Sequence, residues 1–174
     1  MKRLLWTVTC ALMLLFAYTA NAQNDLDRLD DKLRKHLEKK MPGWSYSRVE
    51  PMQGGAGVLI QVWSSKNRKV RIVAIQKGSA ADAKESMNNF ARNVREAQPW
   101  VEAGDEGYAW GYDLRQTHFR RGKIIFDIEV GADVNLDDDA RSLSGAERQS
   151  REKAEIKRWT KEFANHLVDV ADAP

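Results

Sequence analysis

Two segments with strictly alternating side chains constrain the fold of this chain more than any other feature. In Arg68 to Gln76, the residues Val70, Ile72 and Ala74 share one face, and Arg71, Val73 and Ile75 share the other. In Lys123 to Val130, the residues Ile124, Phe126, Ile128 and Val130 alternate with Ile125, Asp127 and Glu129. A period of two predicts β-strands, and the polar residues on one side predict strands of an antiparallel sheet.

Each of these segments has a neighbour that is expected to pair with it as a hairpin. Gly57 to Ser64 precedes the first segment across the polar turn 65–67. Arg115 to Arg121 precedes the second segment, with the turn at Arg121-Gly122. A short strand at Tyr46 to Val49 and a strand at Glu106 to Asp113 complete two sets of three.

Three amphipathic helices separate and flank these strands. Asp25 to Lys40 carries leucines at helical spacing, and Ser79 to Ala97 carries a second apolar stripe. The last helix is predicted to begin at Ser144, where Ser144 and Glu147 have the spacing of a capping box. The order α-βββ-α-βββ-α predicts an α+β fold, in which an antiparallel sheet of hairpins packs against helices on one face.

Residues 1–22 have the organisation of a cleaved secretory signal peptide. Lys2 and Arg3 are followed by an apolar run and then by Ala20-Asn21-Ala22, whose small residues suit a signal peptidase. The run is shorter than the ~20 residues of a membrane-spanning helix. We expect cleavage after Ala22, a single domain over residues 23–174, and a periplasmic or secreted location. The alternative is an uncleaved N-terminal anchor.

Removal of this segment changes what the composition implies. The formal net charge falls from +3 to +1 because Lys2 and Arg3 are lost, and the only cysteine, Cys10, is lost with them. A cysteine-free domain cannot use thiol catalysis, disulfides or thiolate metal sites. A nearly neutral exported domain is also a poor candidate for binding nucleic acid.

An acidic segment before the last helix resembles the start of a calcium-binding loop. Asp133, Asn135 and Asp137 follow the alternating spacing of an EF-hand, and Asp139 adds a fourth oxygen ligand. The sixth position of that motif requires Gly and the twelfth requires Glu, whereas Asp138 and Ser144 stand there. A solvated acidic loop is therefore the favoured interpretation, with a calcium site as the alternative.

The candidates for acid–base chemistry lie on two neighbouring strands. His118, Asp127 and Glu129 could form a hydrolase site assembled in space, because such sites are defined by geometry and not by spacing. The sequence contains neither a Gly-x-Ser-x-Gly elbow nor a His-Glu-x-x-His pair. The outer face of an amphipathic strand is the favoured interpretation. His36 and His166 fall late in helices and are interpreted as separate surface or internally bonded residues.

Two groups of side chains are candidates for binding a ligand. The aromatic residues Tyr108, Trp110 and Tyr112 alternate on one strand, and Arg120, Arg121 and Lys123 cluster at a predicted hairpin tip. Aromatic rings on a strand stack on sugars or seat a peptide, but they more often belong to the core. Long basic side chains at a hairpin tip are also expected simply to face solvent.

Together these patterns predict an exported, soluble, non-catalytic binding or interaction module of the cell envelope. Its expected partner is another envelope protein or a polysaccharide, with no nucleic acid, no cofactor, and no transmembrane segment once the signal is removed. An envelope hydrolase around His118, Asp127 and Glu129 and a calcium-binding loop protein are the alternatives.

The signal assignment predicts a defined new N-terminus. When the chain is expressed with a C-terminal tag in a bacterium, mass spectrometry of the processed protein should find Gln23 as the first residue. Ala22→Phe should leave the precursor uncut, because a bulky side chain does not fit the peptidase site. Ala11→Phe, within the apolar run, is the matched control and should be processed normally. An unprocessed wild-type chain would contradict the assignment.

Overall fold

The computed structural model describes residues 25–50, 57–111 and 114–172. The predicted signal peptide and Tyr112 lie outside these ranges. In these ranges the helices are α1 (residues 25–40), α2 (Ala80–Asn93) and α3 (Gly145–Asp172). The strands are β1 (Ser45–Val49), β2 (Val58–Ser65), β3 (Arg68–Gln76), β4 (Gln98–Pro99), β5 (Glu106–Trp110), β6 (Gln116–Arg121) and β7 (Ile124–Ala132).

The described strands form one seven-stranded antiparallel sheet with the order β1-β2-β3-β7-β6-β5-β4. Two meanders meet at its centre, where β3 pairs with β7 along its whole length, from Arg68 opposite Ala132 to Gln76 opposite Ile124. The predicted α+β class and the two hairpins are confirmed. The strand β4 was not predicted, because two residues are too few to show a period of two.

One face of the sheet carries the main core. The leucine stripe of α1 and the apolar stripe of α3 pack there against the alternating residues of β2, β3, β6 and β7. The largest side chains that are fully buried are Trp63, Phe119, Phe126 and Phe163. A single layer of helices on this face therefore excludes water from both meanders.

The other face is covered in part by α2, which refines the prediction that helices occupy one face. Ala83 and Met87 of α2 pack against Ile125, with Ile75 and Tyr108 at the edge of this second cluster. The physical reason is that Ile75 and Ile125 are apolar on the face opposite the main core, so this part of the sheet is buried on both sides.

The ends of the helices follow their capping residues. Ser79 accepts a hydrogen bond from the Asp82 amide at 3.1 Å, which starts α2 as predicted. Ser144 and Glu147 form the predicted reciprocal capping box before α3. The helix α2 ends at Asn93, earlier than expected, because the following residues lead into β4. Within the described ranges, each helix is too short or too polar to cross a bilayer.

A buried polar network attaches α1 to the sheet. Asp30, which is 6% exposed, accepts hydrogen bonds from the Tyr46 hydroxyl at 2.9 Å and from the Gln61 amide at 2.6 Å. Trp63 in turn donates to Gln61 at 3.0 Å. Burial, together with the Asp30 hydrogen bond, raises the pKa of Tyr46 well above its usual range. The satisfied network fixes the position of α1 on β1 and β2.

Candidate functional site

A groove opens between α3 and the end of the sheet formed by β5 and β6. We call it the α3 groove. Its volume is about 470 Å³, and its apolar wall consists of Trp100, Ala109, Leu114 and Ile156. Ala109 belongs to β5 and faces the same side of the sheet as the main core, yet α3 packs on β6 and β7. The groove therefore exists because the helix layer is narrower than the sheet.

Two threonines give the α3 groove its polar character. Thr117 of β6 and Thr160 of α3 line it, and they are only 1% and 4% exposed. The Oγ1 atom of each has no hydrogen-bond partner within the part of the chain that the structure describes. Burial of an unpartnered hydroxyl costs about 1–3 kcal/mol. Each Oγ1 atom is itself almost completely covered, so a polar group that removed this cost would have to shift side chains of the groove wall to reach it.

The rim of the α3 groove carries charged side chains. Lys153 and Lys157 lie one turn apart on α3, and Glu102 lies across from them. The Lys161 Nζ approaches the Glu102 carboxylate to 2.6 Å and lowers its pKa, with a smaller contribution from Lys157. Because Lys161 already balances Glu102, Lys157 favours an anion at the rim.

A larger groove, of about 760 Å³, lies beside the turn between β2 and β3 and is lined by charged residues. Arg68 forms a bidentate pair with Asp137 at 2.7 and 2.8 Å, and its Nε reaches Glu155 at 3.3 Å. Arg151 binds Asp139 at 2.8 Å. The two arginines of this groove, which we call the arginine groove, are thus paired with acidic residues of its own lining. It is larger than the α3 groove, but among the described residues its lining contains no buried side-chain atom that lacks a hydrogen-bond partner.

The predicted calcium ligands are used in this salt-bridged network. Asp137 and Asp139 pair with arginines, and Asp133 accepts from the Asn135 amide at 3.1 Å as the cap of a short turn. A cation would have to displace Arg68 and Arg151. The arrangement favours the acidic-loop interpretation.

The structure brings together part of the proposed hydrolase set. The Nδ1 of His118 lies 3.5 Å from Asp127 Oδ2, as the cross-strand register requires. Glu129 instead faces Arg71 at 3.8 Å. The neighbours of the His118 ring are aromatic, with Phe90 stacked at 4.4 Å and Trp110 at 5.9 Å. Aromatic rings therefore pack around the His118 imidazole.

The other two predicted ligand-binding groups also have partners inside the protein. Tyr108 and Trp110 lie beneath Phe90 of α2, with ring centroids 6.2 and 4.7 Å away. This contact agrees with the interpretation that these aromatic rings pack within the protein. Tyr112 lies outside the described residues. Each basic side chain at the hairpin tip forms ion pairs: Arg120 with Asp105 and Glu106, Arg121 with Asp105 and Asp172, and Lys123 with Asp25.

Two features of the structure went unrecognised in the sequence. Thr160 lies between Ile156 and Phe163 in the apolar stripe of α3. A polar residue at such a position is the sequence feature that could have indicated a polar group inside the domain. His36 and His166, interpreted as separate, lie side by side with Nε2 and Nδ1 3.0 Å apart. Since 130 residues separate them, no local pattern could show the contact.

A comparison of the chain with models of protein families, with curated proteins and with solved structures finds no match. No family therefore assigns a role to the grooves or to the histidines.

The Arg68–Asp137 pair predicts a specific dependence of stability on pH. The Arg68 hydrogen bond lowers the pKa of Asp137 to about 2 from an unfolded value near 4. A carboxyl with a depressed pKa adds stability that is fully present above pH ~4 and is lost as the pH falls through ~2. In urea unfolding, the wild type should therefore have a larger free energy of unfolding than Asp137→Asn above pH ~4, and this difference should disappear as the pH falls through ~2.

Asp138→Asn, next along the same loop, is the control and should unfold like the wild type at every pH. A constant difference between wild type and Asp137→Asn from pH 6 to pH 2 would contradict the assignment.

Proposed function

We propose that the protein is an exported, non-catalytic binding module of the cell envelope that takes up a small amphipathic organic anion in the α3 groove. The ligand class is a carboxylate attached to a hydrocarbon or aromatic body. One observation carries the proposal: two deeply buried threonines, whose hydroxyls have no hydrogen-bond partner among the described residues, line a groove with an apolar wall.

The apolar wall supports the hydrocarbon part of the ligand. Trp100 packs against Phe119 at a centroid distance of 5.6 Å, so the main core holds it in place. The volume of about 470 Å³ lies in the usual range of small-molecule sites, ~300–1,000 Å³. Burial of a ten-carbon chain against this wall would supply most of the binding free energy, at ~0.8 kcal/mol per methylene.

The threonines and Lys157 support the anionic end. A hydroxyl both donates and accepts, and a carboxylate accepts several hydrogen bonds at once. Thr117 and Thr160 each have an unused donor to offer a carboxylate once the groove wall shifts to expose it. Hydrogen bonds to a charged acceptor are stronger than neutral ones. Lys157 adds long-range attraction from the rim.

The same residues argue for binding without catalysis. A threonine acts as a nucleophile only when an adjacent base removes its proton. Neither hydroxyl has a hydrogen-bond partner within the described residues, and Glu102, the carboxylate of the groove, is paired with Lys161. A ligand held there would be bound and released unchanged. Such a module suits an exported protein that carries or senses amphipathic molecules, in the periplasm or outside the cell.

The proposal predicts opposite effects of one substitution on binding and on stability. Thr160→Val keeps the side-chain volume but removes the hydroxyl. Decanoate should bind the wild type saturably in calorimetry, and Thr160→Val or Thr117→Val should weaken it about tenfold, the loss expected for one charge-assisted hydrogen bond. The ligand-free variants should be as stable as the wild type or more stable by up to ~1 kcal/mol, because an unpartnered hydroxyl is gone.

Decanol and a distant lysine provide the controls. Decanol should bind more weakly than decanoate because it lacks the charge. Lys157→Gln should weaken decanoate binding, while Lys84→Gln, exposed on α2, should not. The proposal fails if decanoate does not bind the folded wild type, or if both valine variants bind it with unchanged affinity.

A further inference from the structure

Two histidines from the first and last helices of the domain meet on the core side of the sheet. His36 of α1 and His166 of α3 have their Nε2 and Nδ1 atoms 3.0 Å apart. The rings meet edge to face, with centroids 5.0 Å apart. Both side chains are half-buried. The packing of α1 and α3 against the same core thus holds the two imidazole nitrogens within hydrogen-bond distance of each other.

A carboxylate stands beside this pair. Asp169 follows His166 by three residues on α3, and its Oδ2 lies 4.0 Å from His166 Nδ1. One ligand atom from each of the three residues falls within 4.8 Å of the others. No other group of three His, Cys, Asp or Glu residues in the described ranges meets this condition. The Asp169 side chain is 66% exposed, so it can turn toward the histidines without disturbing the core.

The charged groups near the pair are of both signs. Asp169 and Glu162 lie near His166 on α3, and Lys40 follows His36 by one turn at the end of α1. The two carboxylates offset the repulsion that Lys40 would exert on a bound cation.

The separation of the donor atoms matches a first-row transition metal. Zinc binds imidazole nitrogen at about 2.0–2.1 Å, which places two nitrogens of a tetrahedral site about 3.4 Å apart. To bind the metal, the two nitrogens would give up their mutual hydrogen bond and separate by ~0.4 Å, and the Asp169 carboxylate would move closer. Calcium and magnesium prefer oxygen-rich sites, so two imidazoles and one carboxylate select zinc, copper or nickel instead.

We infer that His36, His166 and Asp169 form a binding site for a divalent transition-metal ion, which links α1 to α3. The three residues leave at least one coordination position for water or an external ligand. The ion would tie the first helix of the domain to the last across the same core. The site does not depend on the α3 groove and uses none of its residues.

Zinc binding to the metal-stripped, untagged chain tests this inference. Calorimetry should give one zinc per chain, and zinc should raise the melting temperature, because only the folded chain gathers the ligands. Cobalt in place of zinc should give the visible absorption of a nitrogen-and-oxygen site of low coordination number. His36→Gln and His166→Gln should each weaken zinc binding at least about tenfold, and Asp169→Asn should weaken it less.

His118→Gln is the matched histidine control and Asp82→Asn the matched acid control, and both should bind zinc like the wild type. Asp169→Asn changes an exposed side chain and serves if a histidine variant does not fold. Zinc binding that survives His36→Gln, His166→Gln and Asp169→Asn would overturn the inference, as would no binding to the wild type. Thr160→Val should leave zinc affinity unchanged, so this result and the groove proposal stand or fall separately.

Discussion

The pairing of β3 with β7 is the constraint on which the rest of the structure depends. It joins two meanders over the whole length of β3, and its register decides which residues face each side. Val70, Ile72 and Ala74 align with Phe126, Ile128 and Val130 to make the main core. A shift of one residue would turn both sets to the other face. The positions of all three described helices follow from this register.

The candidate site is a consequence of the same arrangement. The helix α3 packs mainly on β7, near the centre of the sheet, and the sheet continues beyond it to β4. Ala109 and Thr117, opposite each other on β5 and β6, therefore line a groove beside the helix. Around Arg68 and Arg120, by contrast, the arginines are paired with acidic side chains. Unlike these charged groups, the hydroxyls of Thr117 and Thr160 have no hydrogen-bond partner within the described residues.

Local patterns in the sequence predict the strands and helices because the spacing of apolar side chains follows which face of each element is buried. The alternation in Arg68 to Gln76 gave both limits of β3, and the capping box at Ser144 gave the start of α3. The side of the sheet that α2 covers was not predicted, because it depends on two isoleucines, Ile75 and Ile125, that lie opposite each other only when β3 pairs with β7. The α3 groove and the His36–His166 contact depend on how α3 lies on the sheet, and no local period encodes that. The candidate ligand residues read from local clusters, such as Arg120 and Trp110, turned out to have partners within the protein.

The central claim, that the two buried hydroxyls bind a ligand, has a direct spectroscopic test. Thr117 and Thr160 are the only threonines in residues 23–174. Selective labelling of threonine methyl groups in that part of the chain therefore gives two NMR signals, both from the α3 groove. Titration with decanoate should shift both signals along curves that share one dissociation constant. If decanoate binds while both signals stay in place, or if neither binding nor a shift occurs, the account is contradicted.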